Sequence, residues 1–200
     1  MKCVIFTNNQ KKCNELQQLL TPLNIEVVSY RAILTDPIDV IEDGQTFTAN
    51  ALKKLAALHT LTDHICIADD SGLEVEALNG QPGIYSARYG GEGLTDAQRC
   101  DYLLNQLQNT SNRAAQFRCV IALKLPNQPA QTFDGVCQGT VCKQPKGDFG
   151  FGYDPIFVPT GFDQTFAQLG QQTKHQLSHR AKALHQAIKA IEANLAKINA

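Results

Sequence analysis

The sequence predicts an α/β protein, in which runs of β-branched residues alternate with amphipathic helices. The apolar run 65–68 has the length and branching of a buried strand. Threonines stand directly before two segments in which apolar residues recur every three or four positions, as in capped amphipathic helices. Segments 116–125 and 132–143 are alternating or β-branched, and Pro126 and Asn127 between them favour a turn. These two segments predict a long antiparallel strand pair within a sheet that helices flank.

The chain begins with a predicted strand at 2–6, followed by a polar loop at 7–12 and a helix. Unpaired amides at a helix N-terminus and the helix dipole both favour a phosphate. The loop has none of the glycines of a P-loop, but Thr7 and Asn9 could donate hydrogen bonds and either of its lysines could supply a charge. A capped helix start with solvated lysines is the alternative interpretation.

A second strand is predicted at 25–29, followed by an acidic loop at 36–44. Thr46 is the expected N-cap of a helix at 47–58. Carboxylates just before a helix can simply satisfy its N-terminus. They can equally provide a metal ligand opposite Asp70, so the sequence leaves both interpretations open.

The strand at 65–68 is predicted to end at two adjacent carboxylates, Asp69 and Asp70. Neighbouring side chains on a strand point to opposite faces, so the two aspartates are expected to do different work. One is expected to face a cleft at the strand end, where open α/β sheets bind ligands, and the other to fix a turn. Gly72 would allow an unusual backbone angle in that turn. A solvated acidic turn is the alternative.

The second half of the chain contains a further capped helix and a stretch rich in glycine and aromatic residues. Thr95 is the expected cap of a helix that ends near residue 107, and glycines alternate with aromatic residues at 147–155. Such a stretch suits either an aromatic platform for a planar base or a bulged strand whose rings lie in the core. Because a residue before proline disfavours the helical region, Pro155 predicts that Asp154 is extended.

Basic residues lie at the expected entrance to a C-terminal helix at 181–198. A cation at a helix N-terminus opposes the helix dipole, unless an anion also binds there. This position therefore favours a functional role for Lys174, His179 and Arg180, with Ser178 beside them.

Composition excludes several classes of function. The net charge of −1 gives no overall attraction to nucleic acid or to an anionic membrane, and no segment approaches the length of a membrane span. We expect no signal peptide at the N-terminus. The seven cysteines are scattered without the spacing of a zinc site, and are predicted to be buried, reduced thiols of a cytoplasmic protein.

Six motifs, taken together and in order, resemble the inosine triphosphate pyrophosphatase family, which removes deaminated purine nucleotides. Each motif alone is weakly specific, but their common order and spacing over residues 1 to about 195 is highly specific. The motifs are Thr7-x-Asn9-x-x-Lys12, Glu42-x-Gly44-x-Thr46-Phe47-x-x-Asn50-Ala51, Ala68-Asp69-Asp70-Ser71-Gly72-Leu73, Pro82-Gly83-x-x-Ser86-Ala87-Arg88-Tyr89, Phe151-Gly152-Tyr153-Asp154-Pro155-Ile156-Phe157 and Ser178-His179-Arg180.

The resemblance implies a single domain over 1–200 with two lobes, a mixed and elongated central sheet with flanking helices, and an active site in the cleft between the lobes. It implies a cytoplasmic homodimer that hydrolyses ITP, dITP and XTP between the α- and β-phosphates. The products are the monophosphate and pyrophosphate. Nucleic acid and membranes are not expected partners.

The resemblance also assigns residues to roles. Asp70 is implied to be the proton acceptor and a Mg²⁺ ligand, with Glu42 as a further metal ligand. The implied phosphate-side residues are Thr7, Asn8, Asn9, Gln10, Lys11, Lys12, Lys54, Ser71 and Lys174, and the implied base-side residues are Phe151, Gly152, Tyr153, Asp154, His179 and Arg180. Asn8 and Lys11 stand where bacterial members often carry glycines. The motif register favours Lys12 over Lys11 as the phosphate ligand.

Two other functions remain open from the sequence. A sensor could bind a purine triphosphate without cleaving it, although paired aspartates gain nothing for polyanion binding without a metal. A related pyrophosphatase could act on modified pyrimidine nucleotides, although the Phe151 stretch and the sequence Ser178-His179-Arg180 favour purines. All three functions predict different activities over a panel of nucleotides.

Overall fold

The computed structural model describes residues 1–34, 38–61 and 63–198, except for the side chains of Lys11 and Ile198. Within this part of the chain there are six strands: β1 Lys2–Ile5, β2 Glu26–Ser29, β3 Ile65–Val75, β4 Ala114–Lys124, β5 Gln131–Val141 and β6 Phe157–Pro159. The α-helices of the same residues are α1 Gln10–Leu20, α2 Phe47–Ala56, α3 Asp96–Gln106, α4 Phe166–Leu177 and α5 His179–Ile198. None of these helices combines the length and the apolar character needed to cross a membrane.

The six strands form one mixed sheet in the order β2-β1-β3-β4-β5-β6. Strand β1 pairs in parallel with β2 and with β3, whereas β5 and β6 are antiparallel. Strands β4 and β5 are neighbours joined by the short connection 125–130, and only antiparallel strands can be joined so briefly. The predicted α/β class, with a mixed sheet and flanking helices, is confirmed.

The chain divides into two compact units. Unit 1 comprises Met1–Asp70, Val120–Asp134 and Ala183–Ala200, and unit 2 comprises Ser71–Cys119 and Gly135–Lys182. Unit 1 is built on fully buried aliphatic side chains from strands and helices, among them Val4, Leu16, Ile67, Ile121 and Ile191. The core of unit 2 is rich in aromatic rings, among them Phe117, Phe157 and Phe166. The predicted cleft between two lobes stays a prediction.

Three helices begin at a threonine N-cap. Thr46 accepts a hydrogen bond from the Ala49 amide at 3.1 Å, and Thr95 and Thr165 each form a capping box with the glutamine three residues later. The caps at Thr46 and Thr95 were expected, because each threonine directly precedes an apolar periodic segment. The helix that follows Thr165, α4, was not predicted.

The position of Lys174 differs from the predicted one, because helix α4 contains it. Lys174 was predicted at the entrance to the C-terminal helix, but it lies in the last turn of α4. A cation there is favourable to the helix dipole rather than opposed to it. Gly170, with a φ of 77°, interrupts the helix and with it the periodicity from which α4 could have been predicted.

Strand β3 continues well beyond the predicted end. It runs from Ile65 to Val75, so that Asp69 and Asp70 lie inside the strand with 3% and 6% of their surface exposed. The predicted turn at the two aspartates is wrong, and so is the position of Asp70 at a strand end. Carboxylates can stay within a buried strand when cations pair with them, and both aspartates have such partners.

Gly72 has a role other than the predicted one. It has no positive φ, so the expected unusual backbone angle is wrong. Its lack of a side chain instead allows a close approach, since a Cβ there would lie 2.2 Å from the Gly83 carbonyl oxygen and 2.4 Å from Ser86 Oγ. That hydroxyl accepts a hydrogen bond from the Leu73 amide at 2.9 Å and donates one to the Gly83 carbonyl at 2.7 Å. Gly72 therefore lets β3 pack directly on the segment 83–86.

We expect Gly72→Ala to destabilise the protein by about 3 kcal/mol, because a methyl group cannot fit without displacing backbone. A loss of each kcal/mol lowers the melting temperature of a protein of this size by about 2–4 °C. Gly80→Ala is the comparison, because no atom lies within 4 Å of its Cβ position and its cost is only the strain of a side chain at a φ of 84°, about 1–2 kcal/mol. Thermal melts of both variants test this. A smaller loss for Gly72→Ala than for Gly80→Ala would contradict the packing role.

All seven cysteines are free, and all except the half-buried Cys142 are buried. Burial raises the pKa of the Cys66 thiol to about 11 and that of the Cys100 thiol to about 12. A thiol with a raised pKa is a poor nucleophile at neutral pH. The prediction of burial is confirmed for six of the seven, and their reduced state stays a prediction.

Candidate active site

Unit 1 contains a cluster of three carboxylates and two ammonium groups, here called the acidic centre: Lys12, Glu42, Lys54, Asp69 and Asp70. Lys12 Nζ donates to both carboxylate oxygens of Asp69, at 2.9 and 2.8 Å. Lys54 Nζ donates to Asp70 Oδ1 at 2.8 Å and lies 2.9 Å from Glu42 Oε2. The two aspartates thus have different partners, as the alternation of side chains along a strand predicted.

Burial dominates the electrostatics of Asp70. Desolvation raises the pKa of its carboxyl group, and the adjacent Lys54 only partly offsets that effect, while Glu42 and Asp69 add to it. For Lys54, burial favours the neutral amine, but the carboxylates around it hold its pKa above the ordinary value. Lys54 is therefore a stable cation at neutral pH, and Asp70 is a stronger base than an exposed aspartate.

Asn50 fixes the acidic centre, a role that was not predicted from the sequence. Its Nδ2 donates to Asp70 Oδ2 at 3.3 Å, and its Oδ1 accepts from the Gly44 amide at 2.8 Å. It is completely buried, so it links the end of the acidic loop directly to Asp70. A signal was available: Asn50 and Lys54 are polar residues on the buried stripe of α2. Polar residues at such positions are buried only with partners.

The loop between β1 and α1 lies where the sequence predicted a helix N-terminus. Thr7 Oγ1 accepts from the Asn9 amide at 3.1 Å, and the Thr7 carbonyl accepts from Ser29 Oγ at 2.9 Å. Asn8 is exposed, and Gln10 donates along the helix to Asn14 at 2.9 Å. The side chain of Lys11 lies outside the described part of the structure, as do Asp36 and Pro37 of the acidic loop.

Unit 2 contains a second group of side chains, which lie around the Phe151 ring: Ser71, Phe151, Asp154, Lys174 and Arg180. Lys174 Nζ donates to Asp154 Oδ2 at 2.5 Å and lies 4.3 Å from the centre of the Phe151 ring. Arg180 Nη2 donates to Ser71 Oγ at 3.0 Å, and the guanidinium carbon lies 5.7 Å from the same ring. Two cations therefore lie near one aromatic ring, at distances typical of cation–π contacts.

The segment 147–153 lies outside helices and strands, so the interpretation as a bulged strand is wrong. Its rings differ in position: Tyr153 is buried and donates to the Ser86 carbonyl at 2.9 Å, whereas Phe151 is half-buried. Tyr153 is thus a core residue, and the role of Phe151 in stacking on a base stays a prediction.

Asp154 directly follows this segment and holds it in place. Its Oδ2 accepts from the Phe151 amide at 2.9 Å, and a Cβ on Gly150 would lie 2.1 Å from the same oxygen. The prediction that Asp154 is extended is wrong, because it begins a 3-10 helix, Asp154–Ile156. Proline is tolerated in the first turn of a helix, where its missing N–H has no partner to lose.

His179 and Arg180 are the first two residues of α5, which begins two residues before the predicted start. Both are buried. The His179 ring stacks on Phe117, with ring centres 4.7 Å apart and planes at 11°. One face of this imidazole is therefore covered by a core aromatic ring, which fixes its orientation. The contact was not predictable, because Phe117 and His179 are far apart in the chain.

The profile of the Ham1 family matches residues 3–190. The chain belongs to the Ham1 family. A dITP/XTP pyrophosphatase from Desulfotalea psychrophila is 48% identical over 183 residues, which are 90% of this chain and 81% of the relative. Another from Desulforamulus reducens is 45% identical over 193 residues and 96% of both chains. The structure of the Staphylococcus aureus Ham1 protein has a TM-score of 0.88 at 43% identity, covering 97% of this chain and all of that one.

These findings confirm the resemblance on which the site prediction was based. Within unit 1 of this Ham1 family member the fold brings Lys12, Glu42, Lys54 and Asp70 together. Within unit 2, Ser71 and Lys174 were predicted to bind phosphate, yet they contact Arg180 and Asp154, which were predicted to bind the base. Asp70 of the first group and Ser71 of the second are consecutive residues in the chain. The individual roles of these residues stay predictions.

Proposed function

We propose that this protein hydrolyses non-canonical purine nucleoside triphosphates, namely dITP, ITP and XTP, to the monophosphate and pyrophosphate. The observation that supports it most is the convergence of Glu42 and Asp70 on the ammonium of Lys54, in a family whose relatives are named dITP/XTP pyrophosphatases. Paired carboxylates beside lysines suit a reaction of a polyanion, in which negative charge must be held and water activated.

Asp70 is the proposed general base. Desolvation raises its pKa, which strengthens it as a proton acceptor. Asn50 holds one of its oxygens and Lys54 the other, so its orientation is fixed before substrate binds. Lys54 on Asp70 and Lys12 on Asp69 are the cations proposed to offset the negative charge of the triphosphate.

The carboxylates of the acidic centre fit a magnesium ion. Glu42 Oε2 and Asp70 Oδ1 both lie within 2.9 Å of one cationic nitrogen, so their oxygens already converge on a single cation position. These are two carboxylates, and among the described residues no group of three or more His, Cys, Asp or Glu side chains is placed to hold a metal. The remaining ligands would therefore have to come from water and substrate. Mg²⁺ commonly binds through one or two carboxylates, with water and substrate phosphates completing its octahedron. When bound, the ion would neutralise phosphate charge during attack by water.

We expect pyrophosphate release from ITP to require added Mg²⁺ and to vanish in excess EDTA. Without the ion, the ammonium of Lys54 would have to offset the charges of Glu42, Asp70 and the triphosphate together. Restoring Mg²⁺ to the same sample should restore the rate, which controls for irreversible damage by the chelator. An undiminished rate in excess EDTA would contradict the metal site.

A panel of nucleotides tests the proposed function as a whole. Pyrophosphate release can be measured with malachite green and added inorganic pyrophosphatase, for ITP, dITP, XTP, the four common nucleotides and modified pyrimidine nucleotides. Selective release from ITP, dITP and XTP supports the proposal. Binding of these nucleotides without release would indicate a sensor, and preference for a modified pyrimidine would indicate the related pyrophosphatase.

We further propose a homodimer in the cytoplasm. The dimer rests on the family resemblance and is tested by light scattering of the eluate from a sizing column. The location is supported by the seven free cysteines, since thiols stay reduced in the cytosol.

A further inference from the structure

We infer that Asp96 is a positioning residue that fixes the Phe151 platform from outside the segment that carries it. This inference rests on the proposed function, because the platform is proposed to receive the purine base. Asp96 begins α3 and belongs to none of the family motifs found in the sequence. Asp96 and Phe151 both belong to unit 2.

Helix α3 holds the peptide groups on both sides of Gly152. Asp96 Oδ2 accepts from the Gly152 amide at 2.7 Å, and the Cys100 thiol donates to the Gly152 carbonyl at 3.4 Å. Asp96 and Cys100 are four residues apart, so they lie on the same face of α3. The bond to Asp96 is the stronger of the two, because a carboxylate acceptor is ionised and the distance is short.

Asp96 is itself held in place. Its other oxygen, Oδ1, accepts from Arg99 Nη2 at 2.6 Å, and Arg99 Nη1 donates to the Leu94 carbonyl at 2.6 Å. The Arg99 guanidinium therefore joins the carboxylate to the loop before α3. A carboxylate with both oxygens engaged in this way has a defined orientation and can define that of Gly152.

The platform segment depends on such support. Residues 147–153 have no helix or strand to order them, and Gly152 has a φ of 60°. Gly152 follows Phe151 directly, so a shift of the Gly152 peptide moves the Phe151 ring relative to Lys174 and Arg180. Asp154 fixes the amide of Phe151 on the other side. Asp96 and Asp154 thus hold two consecutive amides, Asp96 from a separate helix and Asp154 from the position directly after the segment.

Loss of the Asp96 carboxylate should weaken binding of the base without slowing the chemical step. For Asp96→Ala we expect KM for ITP to rise about tenfold, with kcat within about twofold of wild type, as for loss of uniform binding. Asp96→Asn keeps an acceptor oxygen but loses the charge, so its KM should rise by only about threefold. Asp101→Ala is the matched control, an exposed carboxylate of the same helix, and should leave both constants unchanged.

Two competitive inhibitors separate positioning from general damage. Inosine carries only the base side of the substrate, and inorganic tripolyphosphate carries only the phosphate side. In Asp96→Ala the Ki of inosine should rise by the same factor as KM, while the Ki of tripolyphosphate stays unchanged. Melting temperatures of all variants are measured in parallel.

Specific outcomes overturn the inference. Unchanged KM and inosine Ki in Asp96→Ala would do so, and so would an equal rise of both inhibitor constants. If Asp96→Ala does not fold, Asp96→Asn decides by the same two inhibitors. If wild-type protein fails to cleave ITP, the proposed function is wrong, and calorimetric titration of inosine into wild type and Asp96→Asn still decides the role of Asp96.

Discussion

Asp70→Asn is expected to abolish turnover of ITP while leaving nucleotide binding largely intact. An amide has nearly the same shape as the carboxylate but can neither accept a proton at neutral pH nor hold a metal ion as well. Loss of a general base alone costs about 10²- to 10⁴-fold in rate, and loss of a metal ligand adds to that. The measurement is the single-turnover rate with saturating Mg²⁺, together with calorimetric binding of ITP.

The matched control for Asp70→Asn is Asp43→Asn. Asp43 is an exposed carboxylate near Glu42 in the chain, paired with Lys53 on the surface of unit 1. Its replacement removes the same charge from the same region, so any general electrostatic effect on the triphosphate should appear in both variants. Single-turnover rates of Asp70→Asn within tenfold of wild type would rule out Asp70 as the base.

Local signals were sufficient to predict helices α2 and α3. Thr46 and Thr95 are followed at once by an apolar stripe, and a threonine side chain can cap its helix with no help from distant residues. Helix α4 has an equally good cap at Thr165, but Gly170 interrupts its periodicity after one turn. A pattern that depends on several uninterrupted turns could not detect it.

The continuation of β3 could not be predicted from its own residues. Asp69 and Asp70 resemble the end of a strand, because two adjacent carboxylates are costly to bury. Their burial depends on Lys12 and Lys54, which lie 57 and 16 residues away in the chain. Gly72 likewise depends on contact with Gly83 and Ser86. Each of these facts becomes visible only when the tertiary partners are known.

The candidate site likewise combines features with local signals in the sequence and features that depend on tertiary partners. The family motifs identified most of its side chains, and the buried stripe of α2 contained the signal for Asn50. Partners within the site were not predictable, since no spacing indicates that Lys174 pairs with Asp154 or that Arg180 binds Ser71. Nothing in the sequence indicated a role for Asp96, because a carboxylate is common in the first turn of a helix.

Arg180→Ala is expected to lower kcat/KM for ITP strongly while changing the small activity on ATP little. Hypoxanthine has an acceptor oxygen at position 6, where adenine has an amino donor, and a guanidinium only donates. Arg180 is buried, with one nitrogen bound to Ser71 Oγ and the guanidinium near the Phe151 ring. A buried donor that faces the adenine amino group would stay unpaired, at a cost of about 1–3 kcal/mol. Each 1.4 kcal/mol corresponds to about a tenfold preference for ITP.

The decisive quantity is the ratio of kcat/KM for ITP to that for ATP, measured in wild type, Arg180→Ala and Phe151→Ala. Phe151 would stack on either base, so Phe151→Ala should weaken both activities alike and leave the ratio unchanged. Arg180→Lys keeps the positive charge near the substrate but loses the planar fork of donors, so the ratio should fall without the loss of charge. If Arg180→Ala instead lowers both activities together and leaves the ratio unchanged, Arg180 binds phosphate and does not read the base.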